Sequence, residues 1–316
     1  MKYSQIVGTG SYLPSRILTN NELAQSVDTT DEWIVERTGI HQRHIASNTD
    51  TVAGMAAAAA KQAIAAAGID VNKIDLIVVA TSTPDKFFPS TACLVQEQLG
   101  INECPAFDVG AACAGFNYAL SVADNFIRGG MSKCALVIGS EIMSRIIDWN
   151  DRGTCILFAD GAGAVLLEVA SQPGIFSTHL HAAGQYKDLL YTPSGLHAAE
   201  PAYMKMKGSE VFKVAVTKLS LLVSEALDAN KMSNSEIDWF IPHQANLRII
   251  QATAKHLNLP MEQVVVTVGE HGNTSAASVP LALDQAIRDG RIKRGQVLLL
   301  ESFGGGFAWG ASLIRY

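Results

Sequence analysis

The stretch Asp108-Val-Gly-Ala-Ala-Cys-Ala-Gly-Phe116 organises the chain. Ala106 to Val109 reads as a strand, and an apolar pattern of helical period runs from about Gly115 to Arg128. Cys113 therefore falls at the turn between strand and helix. Helix N-termini present unpaired N–H groups and a partial positive charge, and both favour a thiolate, the nucleophilic form. Ala111, Ala112, Ala114 and Gly115 leave room for a substrate to come close. Taken alone, the same pattern also describes a buried, inert cysteine in tight strand–helix packing.

Composition sets the class. With 316 residues, 48% of them hydrophobic and 17% charged, the chain is long enough for two domains or one large two-part core. A net charge of −6 argues against wholesale binding of nucleic acid. No apolar stretch is long enough to span a bilayer, and Met1 to Gly10 lacks the apolar run of a signal peptide. The five cysteines, Cys93, Cys104, Cys113, Cys134 and Cys155, are odd in number, widely spaced and without a C-x-x-C pair. Neither a disulfide framework nor a zinc site is expected, and a reduced, cytoplasmic setting follows.

Along the chain, Ile6 to Tyr12 reads as a strand. Its Gly8-Thr9-Gly10 is no dinucleotide fingerprint, because Leu13 stands where a third glycine is needed. Thr29-Thr-Asp-Glu32 reads as a capping box opening a short helix with Trp33 and Arg37 on one face. That pair is either a stacked surface contact or a platform for a flat aromatic group and a phosphate. Asp50 is expected to cap an Ala-rich helix, Thr51 to Ala67, closed by Gly68. Ile74 to Thr81 reads as a strand with an unbroken apolar run from Leu76 to Ala80, as in a strand buried on both faces. Phe87 and Phe88 are adjacent loop aromatics that need burial, and a helix follows from Thr91 to Leu99. Asp160-Gly-Ala-Gly-Ala164 reads as a tight turn into a strand, Val165 to Val169. His41-x-x-His44 comes nearest to metal-ligand spacing but lies in an Arg-flanked stretch expected to be solvated, so no metal site is expected.

The second half repeats the first. Ile237-Asp-Trp-Phe-Ile-Pro-His-Gln244 matches Ile74 to Thr81, and Thr267 to Ser275 with the helix ending at Gly290 matches Asp108 to Cys113 with the helix ending at Gly130. These offsets are about 163 and about 160 residues and differ by only a few, which marks one unit present twice. Gln296 to Glu301 matches Ala135 to Gly139, and Ala311 to Arg315 matches Val165 to Val169. The expected fold is α/β, two copies of one unit about a pseudo-twofold axis, 1–171 and 172–316, with mostly parallel central sheets. Equivalent strand ends then meet near the axis. Cys113 and the Gly272-Asn273 turn occupy equivalent junctions, and His243 ends the strand equivalent to Ile74–Thr81. A Cys, a His and an Asn thus converge on one cleft.

Gly110-Ala-Ala-Cys-Ala-Gly115, Pro242-His-Gln-Ala-Asn246, Gly269-Glu-His-Gly-Asn-Thr-Ser-Ala-Ala277 and Ser302-Phe-Gly-Gly-Gly-Phe307 resemble the β-ketoacyl-[acyl-carrier-protein] synthase III family over nearly the whole chain. The resemblance implies the thiolase fold, a five-layered αβαβα arrangement. It implies transfer of an acyl group, acetyl in the first instance, from coenzyme A to Cys113, then decarboxylating condensation with malonyl-carrier protein. His243 and Asn273 would stabilise the enolate, and the backbone N–H groups of Cys113 and Gly305 would form the oxyanion hole, glycine admitting the substrate at 305. Coenzyme A would meet Thr29, Trp33, Arg37, Arg152 and Phe212. Phe88, reaching across a homodimer interface, and Met143 would bound the acyl pocket. Lys213, Arg248 and Lys255 would dock an acidic carrier protein. Coenzyme A enters as a thioester substrate, and no resident cofactor is implied. The resemblance leaves open a related condensing enzyme with another primer, in polyketide, quinolone or hydrocarbon synthesis, or an inactive scaffold.

Overall fold

The computed structural model describes residues 2–193 and 202–316. Its first sheet contains β1 (Tyr3–Tyr12), β2 (Leu76–Ala80), β3 (Ala106–Val109), β4 (Cys134–Ile142) and β5 (Asp160–Ala170), in the order β1-β5-β4-β2-β3. The second contains β6 (Ile175–Ala182), β7 (Trp239–Pro242), β8 (Val297–Gly304) and β9 (Ala308–Arg315), in the order β6-β9-β8-β7. The two orders superpose as a duplication, and an isolated parallel bridge from Phe240 to Val264 stands where the second sheet would carry its counterpart of β3.

Both sheets are mixed, not mostly parallel. β2 pairs in parallel with β3 and β4, and β7 with β8, but β5 and β9 run antiparallel to both of their neighbours. The apolar runs suggested parallel strands because both faces of each sheet are covered, and that coverage requires apolar residues whatever the strand direction.

Helices α1 (Asp31–Thr38), α2 (Val52–Ala67), α3 (Thr91–Leu99), α4 (Gly115–Arg128), α5 (Gly208–Asn230), α6 (Leu247–His256) and α7 (Ser278–Arg288) complete the layers. α2 and α3 cover the outer face of the first sheet. α4 and α7 lie between the sheets in a core that includes Phe116, Leu120, Val279 and Leu283. α5 and α6 cover the outer face of the second sheet. This is the five-layered αβαβα sandwich. Among the described residues no helix is long and apolar enough to cross a membrane.

Several local expectations are corrected. Thr30, not Thr29, caps α1 by accepting from the Trp33 N–H, and Thr51, not Asp50, caps α2 by accepting from the Gly54 N–H. Asp160 to Ala164 is strand, not turn. The glycines there give clearance to α7, since a Cβ on Gly163 would fall 2.7 Å from the Leu281 nitrogen. The His41–His44 segment is solvated only in part: His41 is exposed, but Arg43 is fully buried, donating to Asn20 Oδ1 and the Ile156 carbonyl, and His44 Nδ1 lies 2.6 Å from the Pro14 carbonyl. Within the chain Phe87 and Phe88 find no burial, and are 80% and 85% exposed.

The repeat register also shifts. Ala112 and Ser275 each have positive φ, 45° and 52°, and each opens a short 3₁₀ turn that leads into a central helix. Cys113 is thus equivalent to Ala276, in step with the Ile74–Ile237 offset, and Asn273 precedes the equivalent position. The Ser275–Ala277 turn packs on β4 at Gly139, where a Cβ would fall 2.3 Å from the Ala276 carbonyl oxygen. Backbone lines that contact, so relaxation is restricted. We expect Gly139→Ala to cost about 2–3 kcal/mol, read as a lowered urea midpoint with unchanged slope.

Candidate active site

Cys113 sits in the turn before α4 and is 6% exposed. β8 runs its C-terminal end against this turn, and a Cβ on Gly304 would lie 2.5 Å from the Cys113 nitrogen. Gly305, in the β8–β9 loop, lines a cavity together with Cys113. Its clearance is to the Leu190 carbonyl, 2.8 Å from a built Cβ. The protein's own backbone thus requires glycine at 304 and leaves a side chain at 305 no clearance from Leu190.

His243 follows Pro242 at the end of β7. Its backbone N–H donates to the Glu301 carbonyl at 2.7 Å, and its ring Nδ1 lies 2.5 Å from Ser278 Oγ at the start of α7. His243 lines the cleft, and Nε2 is the ring nitrogen that Ser278 leaves free for it. Asn273 is held by its backbone, donating to the Leu157 carbonyl and accepting from the Ala159 N–H, both at 2.9 Å. Its Oδ1 accepts from the Ser275 N–H at 2.9 Å, which turns the NH₂ toward the cleft. Cys113, His243 and Asn273 line one cavity of about 560 Å³, so the three meet although Asn273 precedes the position equivalent to Cys113.

Burial controls protonation here. Desolvation pushes the Cys113 thiol up to about 12, outweighing the Ser275 hydrogen bond and the local N–H that favour thiolate. The local N–H acts in the expected direction, toward thiolate, but burial is the larger effect. Desolvation also lowers His243 to about 4, so its imidazole is neutral at physiological pH. Two buried carboxyls that sequence reasoning missed stand nearby. Burial raises Glu141, although it accepts hydrogen bonds from Thr83, the Ser82 N–H, Ser275 and Thr81. Burial pushes Glu301 up to about 8. The strand around Glu141 was read as ending at Gly139, and a polar residue inside an apolar run was the available signal. Among the described residues no group of three or more His, Cys, Asp or Glu is arranged to hold a metal ion.

The cavity runs outward from Cys113 to Trp33, Arg37, Phe212 and Arg248. The Trp33 ring carries two guanidiniums, Arg37 at 4.3 Å and Arg152 at 4.7 Å from its centroid. Arg152 is anchored by donating to the Asp28 carbonyl at 2.7 Å. Asn246 ties the mouth together, capping α6 and donating to the Arg37 carbonyl, while Arg248 Nε donates to the Glu36 carbonyl. Thr29 does not line this cavity, and its hydroxyl is buried without a partner among the described residues. Lys213 and Lys255 are exposed and lie outside it. A second cavity of about 430 Å³ opens beyond Cys113, lined by Met143, Ile146, Phe158 and Met204. Phe88 is not part of it.

The architecture and this cleft define a thiolase-fold protein. Family models described as 3-oxoacyl-[acyl-carrier-protein] synthase III and its C-terminal portion match residues 107–184 and 227–316. The chain is 59% identical to the β-ketoacyl-[acyl-carrier-protein] synthase III of Methylococcus capsulatus, covering 100% of this chain and 99% of that one. It superposes on the crystal structure of 3-oxoacyl-[acyl-carrier-protein] synthase III from Aquifex aeolicus with a TM-score of 0.94 and 49% identity, over 99% and 100% of the two chains. A priming β-ketosynthase from the R1128 polyketide biosynthetic pathway superposes with a TM-score of 0.95 and 36% identity, over 99% and 96%. The chain belongs to the β-ketoacyl-[acyl-carrier-protein] synthase III family.

Because the Cys113 thiol is raised above its ordinary value, its thiolate fraction grows with pH throughout the accessible range. Alkylation of Cys113 by iodoacetamide should rise about tenfold per pH unit up to about pH 10. A plateau below about pH 9 would show that the helix terminus outweighs burial.

Proposed function

We propose that the protein condenses an acyl-CoA primer with malonyl-[acyl-carrier-protein], giving 3-oxoacyl-[acyl-carrier-protein], free coenzyme A and carbon dioxide, at the start of cytoplasmic fatty-acid synthesis. The observation that carries this reading is the meeting of Cys113, His243 and Asn273 in one cleft of a chain belonging to this family.

In the loading step the Cys113 sulfur attacks the thioester carbonyl. The oxyanion accepts hydrogen bonds from the N–H groups of Cys113 and Gly305, and the proton of the thiol leaves on the coenzyme A sulfur. In the second step malonyl-carrier protein loses carbon dioxide. The enolate oxygen accepts from the Asn273 NH₂ and from the His243 nitrogen facing away from Ser278. The new carbanion attacks the acyl group and expels the Cys113 thiolate, which recovers a proton. Each buried donor of this kind contributes about 3 kcal/mol to the barrier reduction. No resident cofactor takes part in this scheme.

Trp33, Arg37 and Arg152 offer a ring face and two guanidiniums for the nucleotide end of coenzyme A, with Phe212 along the pantetheine path and Thr29 nearby. Acetyl is the primer that the family resemblance implies, and a bulky Phe88 from a second copy would narrow the cavity bounded by Met143 in its favour. Exposed Phe87 and Phe88 are surfaces that a second copy would cover, and in that homodimer Phe88 would close the partner's acyl pocket. Arg248 lies on the shared entrance, so it serves both coenzyme A and the carrier protein, while Lys213 and Lys255 serve the carrier alone. The 36% identity to a polyketide-priming synthase supports a second reading, in which the primer differs.

Incubation with acetyl-CoA should add one acetyl group to the wild-type protein and none to Cys113→Ala, read by intact-protein mass spectrometry. Loading by longer or branched acyl-CoAs in preference to acetyl would favour the second reading, and no adduct from any of them would overturn the first. Charge reversal at the docking face, Lys255→Glu, should raise the KM for malonyl-carrier protein by about three- to tenfold, with the effect shrinking as salt is added. An unchanged KM would remove Lys255 from that face.

A further inference from the structure

We infer that Ser278 is a positioning residue whose hydroxyl donates to Nδ1 of His243 and so keeps the imidazole proton on Nε2, the nitrogen left free for the cleft. The inference deepens the function proposed above and rests on it for the catalytic consequence.

The argument is a hydrogen-bond count. Ser278 is the first residue of α7, 1% exposed, and its Oγ lies 2.5 Å from His243 Nδ1. The same oxygen accepts the Gln244 N–H at 3.3 Å. A serine hydroxyl has one proton to give and lone pairs to accept with. If Nδ1 carried the ring proton, Oγ would receive two donors and its own proton would be left buried with no acceptor. Among the hydrogen bonds of the described residues, Nδ1 is the only acceptor within reach of that hydroxyl. If Nδ1 is bare, every group is satisfied, and the single ring proton stands on Nε2. Burial keeps the ring neutral, so it has only one proton to place. Asn273 is arranged by the same logic, since the Ser275 N–H occupies Oδ1 and leaves the NH₂ for the cleft. Both inward groups are therefore set as donors before substrate arrives, which suits an enolate oxygen and not a proton to be abstracted. Gln244 offers Nδ1 no second side-chain partner, because its NH₂ donates to the Pro242 and Val265 carbonyls and its Oε1 accepts from the Thr267 N–H.

Protein labelled with ¹⁵N-histidine, with the His243 signals assigned by their absence in His243→Ala, reads the tautomer directly. The wild-type ring should show its proton on Nε2 and an unprotonated, hydrogen-bonded Nδ1. Ser278→Ala should shift His243 toward the Nδ1–H form and lower malonyl-dependent condensation by about ten- to a hundredfold, and Ser278→Thr should restore both signals. Acetyl loading on Cys113 should fall far less than condensation. A wild-type ring protonated on Nδ1 overturns the proposal. So does Ser278→Ala that loses condensation while His243 keeps the wild-type tautomer, because Ser278 would then be only structural. The spectrum needs no turnover, so it still decides the tautomer if the wild-type protein neither loads nor condenses, an outcome that would instead overturn the proposed function.

Discussion

The cleft depends on the contact between the Ser275–Ala277 turn and strand β4. Gly139 lets the turn lie directly on the strand, and Glu141, two residues further along β4, accepts from the Ser275 hydroxyl. That turn belongs to the second half of the chain and β4 to the first, so this contact both joins the halves, beside the core between α4 and α7, and builds the site. From the docked turn the Ser275 N–H orients Asn273, and the helix that follows begins with Ser278 beside His243. Displacing the turn would disorient both inward donors at once, which is why its support is backbone against backbone and not a flexible side chain.

The same burial that makes these donors effective works against the nucleophile. Donors aimed into a desolvated cleft act more strongly than in water. A thiol in that cleft is held protonated, and the N–H groups around Cys113 offset this only in part. The resting site is therefore better matched to receiving negative charge on oxygen than to storing it on sulfur. Glu301 obeys the same constraint, being buried on β8 with its carboxyl pushed up to about 8.

Helices and strands were largely legible because burial patterns are periodic. Ala106–Val109, Thr91–Leu99 and the helix from Gly115 to Arg128 lie where the pattern puts them. Errors arose where one local signal had two meanings. Glycines at 161 and 163 look like a turn, yet they serve a strand that must pass close to α7. Two threonines and an aspartate in a row give several candidate caps, and only the backbone angle at Thr30 selects among them. The repeat was found in the sequence, but its register near the site was misplaced, because Gly272-Asn273 imitates the small residues around Cys113. Positive φ at Ala112 and Ser275 fixes the register, and neither residue type announces it.

The sequence by itself determined the duplicated α/β layers and the three residues that meet in the cleft. These follow from hydrophobic period and from repetition, both of which are written residue by residue. Only the tertiary structure decided the mixed strand directions, the protonated state of Cys113, the double guanidinium cover on Trp33 and the inward aim of His243 and Asn273. Each of these depends on which groups from distant parts of the chain share a desolvated volume. Solvent exclusion and hydrogen-bond partnership are properties of that volume and of no single stretch of sequence.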